Sequence, residues 1–317
     1  MTALPPYVIN GNLYDALAPV QLTDVVMHNF CVPADPVKLQ AWLDRNFSAP
    51  SGGKVRYRLL GDKVFLSFAQ IGKLWNIETG QPIKGYTSEI DITIWILTQR
   101  EDDGLFALRW IPAYLFVDSG PALVSGREIW GFPKQLGRFD FSPQNPDPSG
   151  ERSFSADGFV VSPFGPNSPA RWATMFEARP IPITAEPGRG SILGSLEGLA
   201  KVAVTRLTDG LTTIAGKLST AMSGGGMTMA LLKQFPDATT PTRACYQAIV
   251  ETHATITNFI GGGLTIHDYE VRITSFDSHP YFDELGISSD WQNVGQAVWM
   301  NFDFQQALGT IIWSSGA

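Results

Sequence analysis

The sequence predicts a strand-dominated α+β fold with helices at its periphery, and three observations carry that expectation. Among 317 residues there are 22 Pro and 31 Gly, 44% are apolar and only 17% are charged, which favours turns and buried strands over long surface helices. Apolar or alternating runs recur along the chain, separated by Gly, Asp and Asn turns. Helical patterns do not alternate with the strands, so the chain has no βαβ rhythm.

Residues 20–32 (VQLTDVVMHNFCV) read as a first strand. The segment DPVKLQAWL that follows reads as a short helix, with Asp35 as N-cap and Pro36 at the first position, where its missing N–H is not needed. Strand patterns continue at 55–60, 63–71, 89–98, 105–117 and 121–125. Residues 140–151 form a polar loop, after which strands resume at 152–164 and 169–179. From about 190 to 233, Leu, Ile and Val fall at three- and four-residue spacings broken by glycines, which predicts a helical insertion. It would pack on the main body, form an oligomer contact, or act as a lid hinged at the GGG of 224–226. Strands return at 244–260 and 264–275, and 294–313 alternates weakly. At 317 residues the chain can bury a large core in one extended domain or in two smaller ones.

Composition excludes several function classes. The formal charge is −7 and basic residues form no stripe, which argues against nucleic acid as a partner. The N-terminal residues lack a basic, apolar leader pattern, and no apolar run reaches the ~20 residues that span a bilayer. A soluble cytoplasmic protein with no membrane partner is expected. Cys31 and Cys245 make neither a disulfide framework nor a metal motif, and His28, His253, His267 and His279 are scattered. The glycine runs lack a nucleotide-binding context, and there is no Gly-x-Ser-x-Gly elbow. Neither a metal nor a cofactor is expected.

Amine and carboxylate chemistry remains. Lys134 lies in GREIWGFPKQLGRF, bounded by Trp130, Phe132, Pro133, Leu136 and Phe139, in a chain with only 23 Lys and Arg. Apolar surroundings disfavour a charged amine and free it to attack a carbonyl, forming a Schiff base whose iminium accepts the electrons of a departing carboxylate. Arg127 is placed to pair with a substrate carboxylate or to hold Glu128, and Pro133 restricts Phe132. Glu89 opens an apolar strand and would transfer protons if it faced the same cavity. The residues alone leave the bland alternatives open: a surface lysine with an apolar stem, an Arg127–Glu128 pair that organises a turn, and a strand-edge carboxylate.

The run DSGPALVSGREIWGFPKQLG resembles the signature of the acetoacetate decarboxylase family, in which Gly-Arg-Glu leads into an aromatic-proline-lysine segment. The resemblance is strongest over 114–139 and extends more weakly from 22–43 to 243–273, leaving out 190–230. It implies one domain over 1–317 with the insertion at about 190–233, a large curved antiparallel sheet closed into a cone-like barrel around an apolar cavity, and a homo-oligomer. It implies that Lys134 is the Schiff-base lysine, that Glu89 is the active-site glutamate, and that Arg127 and Glu128 shape the pocket with Trp130 and Phe132. Two positions depart from the family pattern. Gln135 stands where the decarboxylase proper has a second lysine, leaving desolvation as the source of activation. The first-strand arginine of the family has no match among Val25, Val26 and His28, so Arg109 or Arg127 would have to anchor a carboxylate.

The expected function is that of a cofactor-independent lyase which decarboxylates an acetoacetate-like β-keto acid through a lysine Schiff base. Two alternatives stand beside it: Schiff-base aldol, dehydratase or hydratase chemistry on an oxo acid, and non-catalytic binding of a small hydrophobic ligand.

Overall fold

A computed structural model describes residues 18–78, 85–103, 108–142, 147–183 and 226–315. Twelve strands form a single sheet: β1 (Val20–Pro33), β2 (Tyr57–Leu59), β3 (Lys63–Asn76), β4 (Thr87–Arg100), β5 (Leu108–Val117), β6 (Lys134–Ser142), β7 (Ser153–Val160), β8 (Arg171–Ile181), β9 (Met227–Pro236), β10 (Ala244–Ile273), β11 (Gln292–Gln306) and β12 (Thr310–Ser314). The helices among the described residues are short: α1 (Pro36–Leu43), α2 (Gly120–Ser125) and α3 (Tyr281–Leu285), with π-helical turns at Asp44–Ser48 and Gly126–Trp130. As the capping pattern predicts, the Asp35 carboxylate accepts hydrogen bonds from the backbone N–H groups of Val37 and Lys38, and Pro36 opens α1.

The sheet pairs in the order β2-β4-β3-β1-β11-β10-β8-β7-β6-β5-β9, and further pairings join β4 to β5 and β10 to β9. Strands β4, β3, β1, β11, β10, β9 and β5 therefore return on themselves as a ring. The ring has two apolar faces, and β4 explains why its sequence reads as an almost unbroken apolar run. Ile92, Ile94 and Ile96 point to the main core, with Phe30, Leu66 and Phe68. Glu89, Asp91, Thr93 and Trp95 point the other way, into a cavity. A strand covered on both faces loses the clean polar–apolar alternation of a half-exposed one.

The sheet is mixed rather than antiparallel, because β6 pairs parallel to β5, with Leu115 opposite Lys134 and Val117 opposite Leu136. A parallel pair requires a crossover instead of a tight turn, and the expected strand at 121–125 supplies it as α2. Ser119 caps α2 by accepting from the Ala122 N–H, and a proline lies in its first turn, so the local chemistry favours a helix start. The predicted helical insertion also differs at its C-terminal end, where Met227–Lys233 belong to β9 and pair with β10. Residues 190–225 of that segment, including two glycines of the 224–226 run, lie outside the described residues. The expected break between 260 and 264 is bridged by one continuous β10, and the weak tail resolves into β11 and β12.

Candidate active site

The crossover from β5 to β6 determines where Lys134 sits. After α2 the chain tightens into the Gly126–Trp130 π-turn, and Gly131 ends it at φ 93, a left-handed conformation that favours glycine. A side chain at Gly131 would also meet the Lys233 backbone, with a Cβ 2.6 Å from its Cα. The N–H groups of Gly131 and Phe132 both donate to the Gly126 carbonyl, and Pro133 then delivers Lys134 as the first residue of β6. Arg127 Nη1 donates to the Lys134 carbonyl at 3.0 Å, fixing the peptide that carries the lysine.

Strand register aligns the site across the ring. Asn29 on β1 faces Ser67 on β3, Ser67 faces Thr93 on β4, Thr93 faces Leu115 on β5, and Leu115 faces Lys134. All five line one cavity of about 220 Å³. Its walls are otherwise mainly aliphatic, aromatic and methionine side chains from all seven ring strands, together with Trp130 and Phe132 from the crossover. Into this space Lys134 Nζ donates to Glu89 Oε1 at 2.6 Å, with Glu89 only 2% and Lys134 11% exposed. The ammonium also lies 5.9 Å from the Phe132 ring centroid.

A second carboxyl group belongs to this constellation. Asp91 follows Glu89 by two residues on β4 and so projects from the same face, and Thr93 Oγ1 donates to its Oδ1 at 3.3 Å. Part of the Asp91 surface is accessible from the cavity, but protein surrounds it on every side. Burial raises its pKa and the neighbouring Glu89 charge raises it further; Lys134 and the Thr93 hydrogen bond oppose the shift, and the carboxyl is pushed up to about 8. The Lys134–Glu89 pair thus stands beside a carboxyl group whose surroundings favour its protonated form. Sequence reasoning missed Asp91, although its two-residue spacing from Glu89 was the available signal.

Comparison with known proteins addresses the same segment. A family model described as acetoacetate decarboxylase (ADC) matches residues 102–157, which include the whole crossover and Lys134. The fold as a whole resembles an acetoacetate decarboxylase from Legionella pneumophila, with a TM-score of 0.59 and 14% identity, covering 100% of this chain and 94% of that one. Residues 102–157 thus match the acetoacetate decarboxylase family model, and the chain as a whole shares the fold of a solved acetoacetate decarboxylase. A second acetoacetate decarboxylase structure matches at a TM-score of 0.55 and 10% identity, over 95% of this chain and 92% of that one. An acetoacetate decarboxylase-like enzyme from Sphingomonas wittichii RW1 matches at 0.54 and 13%, covering 96% of each chain. A sequence search of curated proteins finds no match.

Against the acetoacetate decarboxylase pattern, the predicted residues separate into two groups. Lys134, Glu89, Trp130 and Phe132 all line the cavity. Arg109, Arg127, Glu128 and Gln135 are not among its lining residues. Arg109 is committed elsewhere, at 2.8 Å from Glu251 and 2.5 Å from Asp103. Burial works against its charge, but the hydrogen bond and charge of Glu251 outweigh that and hold its pKa above the usual arginine value. Arg127 is exposed and acts on the Lys134 backbone. Glu128 lies near enough to Lys233 to favour the lysine's charge, while burial has the larger, opposite effect and lowers the Lys233 pKa.

Gln135 projects from the opposite face of β6, where its Oε1 lies 2.9 Å from His279 Nε2. Gln135 therefore faces the main core rather than the cavity. On β1, Val25 lines the cavity, whereas His28 projects away from it, with its Nε2 2.8 Å from the Pro148 carbonyl oxygen. Among the described residues the cavity has no arginine, and no group of three or more His, Cys, Asp or Glu side chains could hold a metal ion. No helix among them is long and apolar enough to cross a membrane.

Proposed function

We propose that the protein is a Schiff-base lyase that decarboxylates a β-keto acid at Lys134. The observation that carries this reading is the 2.6 Å contact between Lys134 Nζ and Glu89 inside an apolar cavity. An amine nucleophile needs a base that takes its proton, and the low dielectric strengthens every charge interaction that follows. In the proposed sequence Glu89 accepts a proton from the Lys134 ammonium. The neutral amine then adds to the ketone carbon, and the carbinolamine loses water to give an iminium. The bond to the carboxylate breaks, CO2 leaves, and the electron pair moves into the iminium to form an enamine. Asp91 is the nearby acid that can return a proton to the α-carbon. Hydrolysis of the resulting iminium releases the ketone and restores Lys134, with one proton consumed per turnover.

The family match and the low-charge cavity support this reading, with the strand ring taken as the wall of a cone-like closed barrel. A cytoplasmic homo-oligomer acting on a small oxo acid without a cofactor belongs to the same proposal. One observation favours the second reading, aldol or dehydratase chemistry through the same imine. Lys134 is the one cationic side chain among the described lining residues, so the site shows no dedicated anchor for a carboxylate. Borohydride trapping followed by peptide mass spectrometry tests both readings. An adduct on Lys134 is expected, and CO2 release distinguishes decarboxylation from the other outcomes. Failure to label Lys134 with acetoacetate, pyruvate and larger β-keto acids would overturn both.

A further inference from the structure

We propose that the substrate of this site carries an aryl or comparably bulky apolar group beside its carbonyl, placing it in the class of 3-aryl-3-oxo acids rather than acetoacetate or pyruvate. The inference rests on the Schiff-base reading and specifies its substrate. Volume is the first argument. An apolar cavity of about 150 Å³ accommodates benzene, and this one measures about 220 Å³. A four-carbon acid would leave much of that wall uncovered, while an aromatic ring with a short oxo-acid chain would cover it.

The arrangement of the lining is the second. Glu89, Asp91 and Thr93 succeed one another along β4 on the cavity side, and Trp95 continues the same face. Trp95 pairs in register with Phe65, whose ring meets Trp110 nearly edge-on at a centroid distance of 5.0 Å. The polar groups nearby are already engaged: Ser67 donates to Asn29 at 2.5 Å and Thr93 to Asp91 at 3.3 Å. A ligand with its carbonyl at Lys134 can thus direct an apolar group toward an aromatic wall that favours ring-edge and ring-face contacts.

Charge is the third. Lys134 is paired with Glu89, so a small anion has little net positive charge to hold it. Contacts with the non-reacting apolar part of the substrate must provide the binding energy that brings the carboxylate into this cavity.

The test compares 3-oxo-3-phenylpropanoate with acetoacetate on the full chain, by CO2 release and by borohydride trapping on Lys134. We expect kcat/KM for the phenyl compound to be at least about tenfold higher, since even one methylene in a hydrophobic pocket discriminates by that order. Equal or reversed values, with Lys134 labelled by both compounds, would overturn the substrate class and leave the Schiff-base reading intact. A binding experiment free of chemistry separates the opposite failure. Lys134→Met should bind acetophenone at least about tenfold more tightly than acetone, read by quenching of the cavity tryptophans. If that preference appears but the wild-type Lys134 is never labelled, the ligand class stands and the covalent reading falls. Met229→Trp, which fills the cavity, should lower kcat/KM for the phenyl compound far more than for acetoacetate; an equal loss for both would count against the proposal.

Discussion

Two buried clusters in this molecule both join carboxylates to cations, and they are built on opposite principles. Around Glu251, Arg100 and Arg109 approach at 3.0 and 2.8 Å, Tyr57 donates to the same carboxylate at 2.9 Å, and Asp102 and Asp103 neutralise the arginines from outside. Each charge there has several partners. In the cavity, one lysine stands beside two carboxyl groups, and burial favours the protonated form of one of them. Arginine retains its proton at any physiological pH, whereas lysine can surrender one. A saturated cluster of arginines holds strands together; a lysine beside an undersupplied pair of acids can exchange protons with a ligand.

The strongest way to break this comparison is to remove the central residue of each cluster. Lys134→Ala should reduce kcat by at least ~10⁴-fold, as loss of a covalent nucleophile does, with the folded state retained in circular dichroism and thermal melts. Glu251→Gln should do the reverse. Taking the central carboxylate from the buried Arg109 and the partly buried Arg100 should cost about 3 kcal/mol in denaturant unfolding, while turnover per folded molecule changes by no more than about twofold, because neither arginine lines the cavity. If Lys134→Ala unfolds the protein, or Glu251→Gln abolishes turnover without destabilising it, the division between the clusters fails.

Asp91 sharpens the comparison, because it carries a proton that the cavity imposes on it. Its folded pKa of about 8 lies above the ordinary carboxylate value. Between about pH 4 and that value, the unfolded chain ionises Asp91 while the folded chain keeps it protonated. The folded state therefore binds more protons, and this group's contribution makes stability fall as pH rises through that window. Asp91→Asn removes that slope: its stability relative to wild type should increase from pH 5 to 8 and level off above. The same variant should lose about 10²-fold in kcat if Asp91 supplies the proton to the enamine. A parallel pair of stability–pH curves would reject the protonated acid.

The sequence exposed the chemistry of this site more clearly than its architecture. Lys134 stood out because a lysine within an aromatic-proline run is unusual in so weakly charged a chain, and Glu89 because it opens an apolar strand. Their meeting was legible through the family resemblance, since the 45-residue separation between them is closed by strand register that no local pattern reveals. Asp91 was within reach of a period-two argument but hidden by the double burial of β4, which makes the strand read as uniformly apolar. Arg109 was misleading for a related reason: the partner that occupies it, Glu251, lies far along the chain on β10. The parallel pairing of β5 with β6 was obscured because α2 is a single capped turn with small and β-branched residues, and such a run resembles a strand.

The smallest expected effect probes how tightly the crossover holds the nucleophile. Gly126 ends α2 at φ −60, an ordinary helical conformation, so its backbone geometry does not demand glycine. Its side-chain space is nevertheless occupied: a Cβ there would lie 2.7 Å from Lys134 Cδ and 2.8 Å from Cε. Gly126→Ala must push the lysine stem aside, and the stem is flexible enough to yield. Stability should change by less than about 1 kcal/mol, since the helical gain from alanine offsets the displaced contact. Turnover should fall by about ten- to a hundredfold, because a displacement of ~1 Å at a reacting group costs that order in rate. Borohydride labelling of Lys134 should slow in proportion. Loss of stability with unchanged labelling would mean that Gly126 serves helix packing and that Lys134 tolerates displacement.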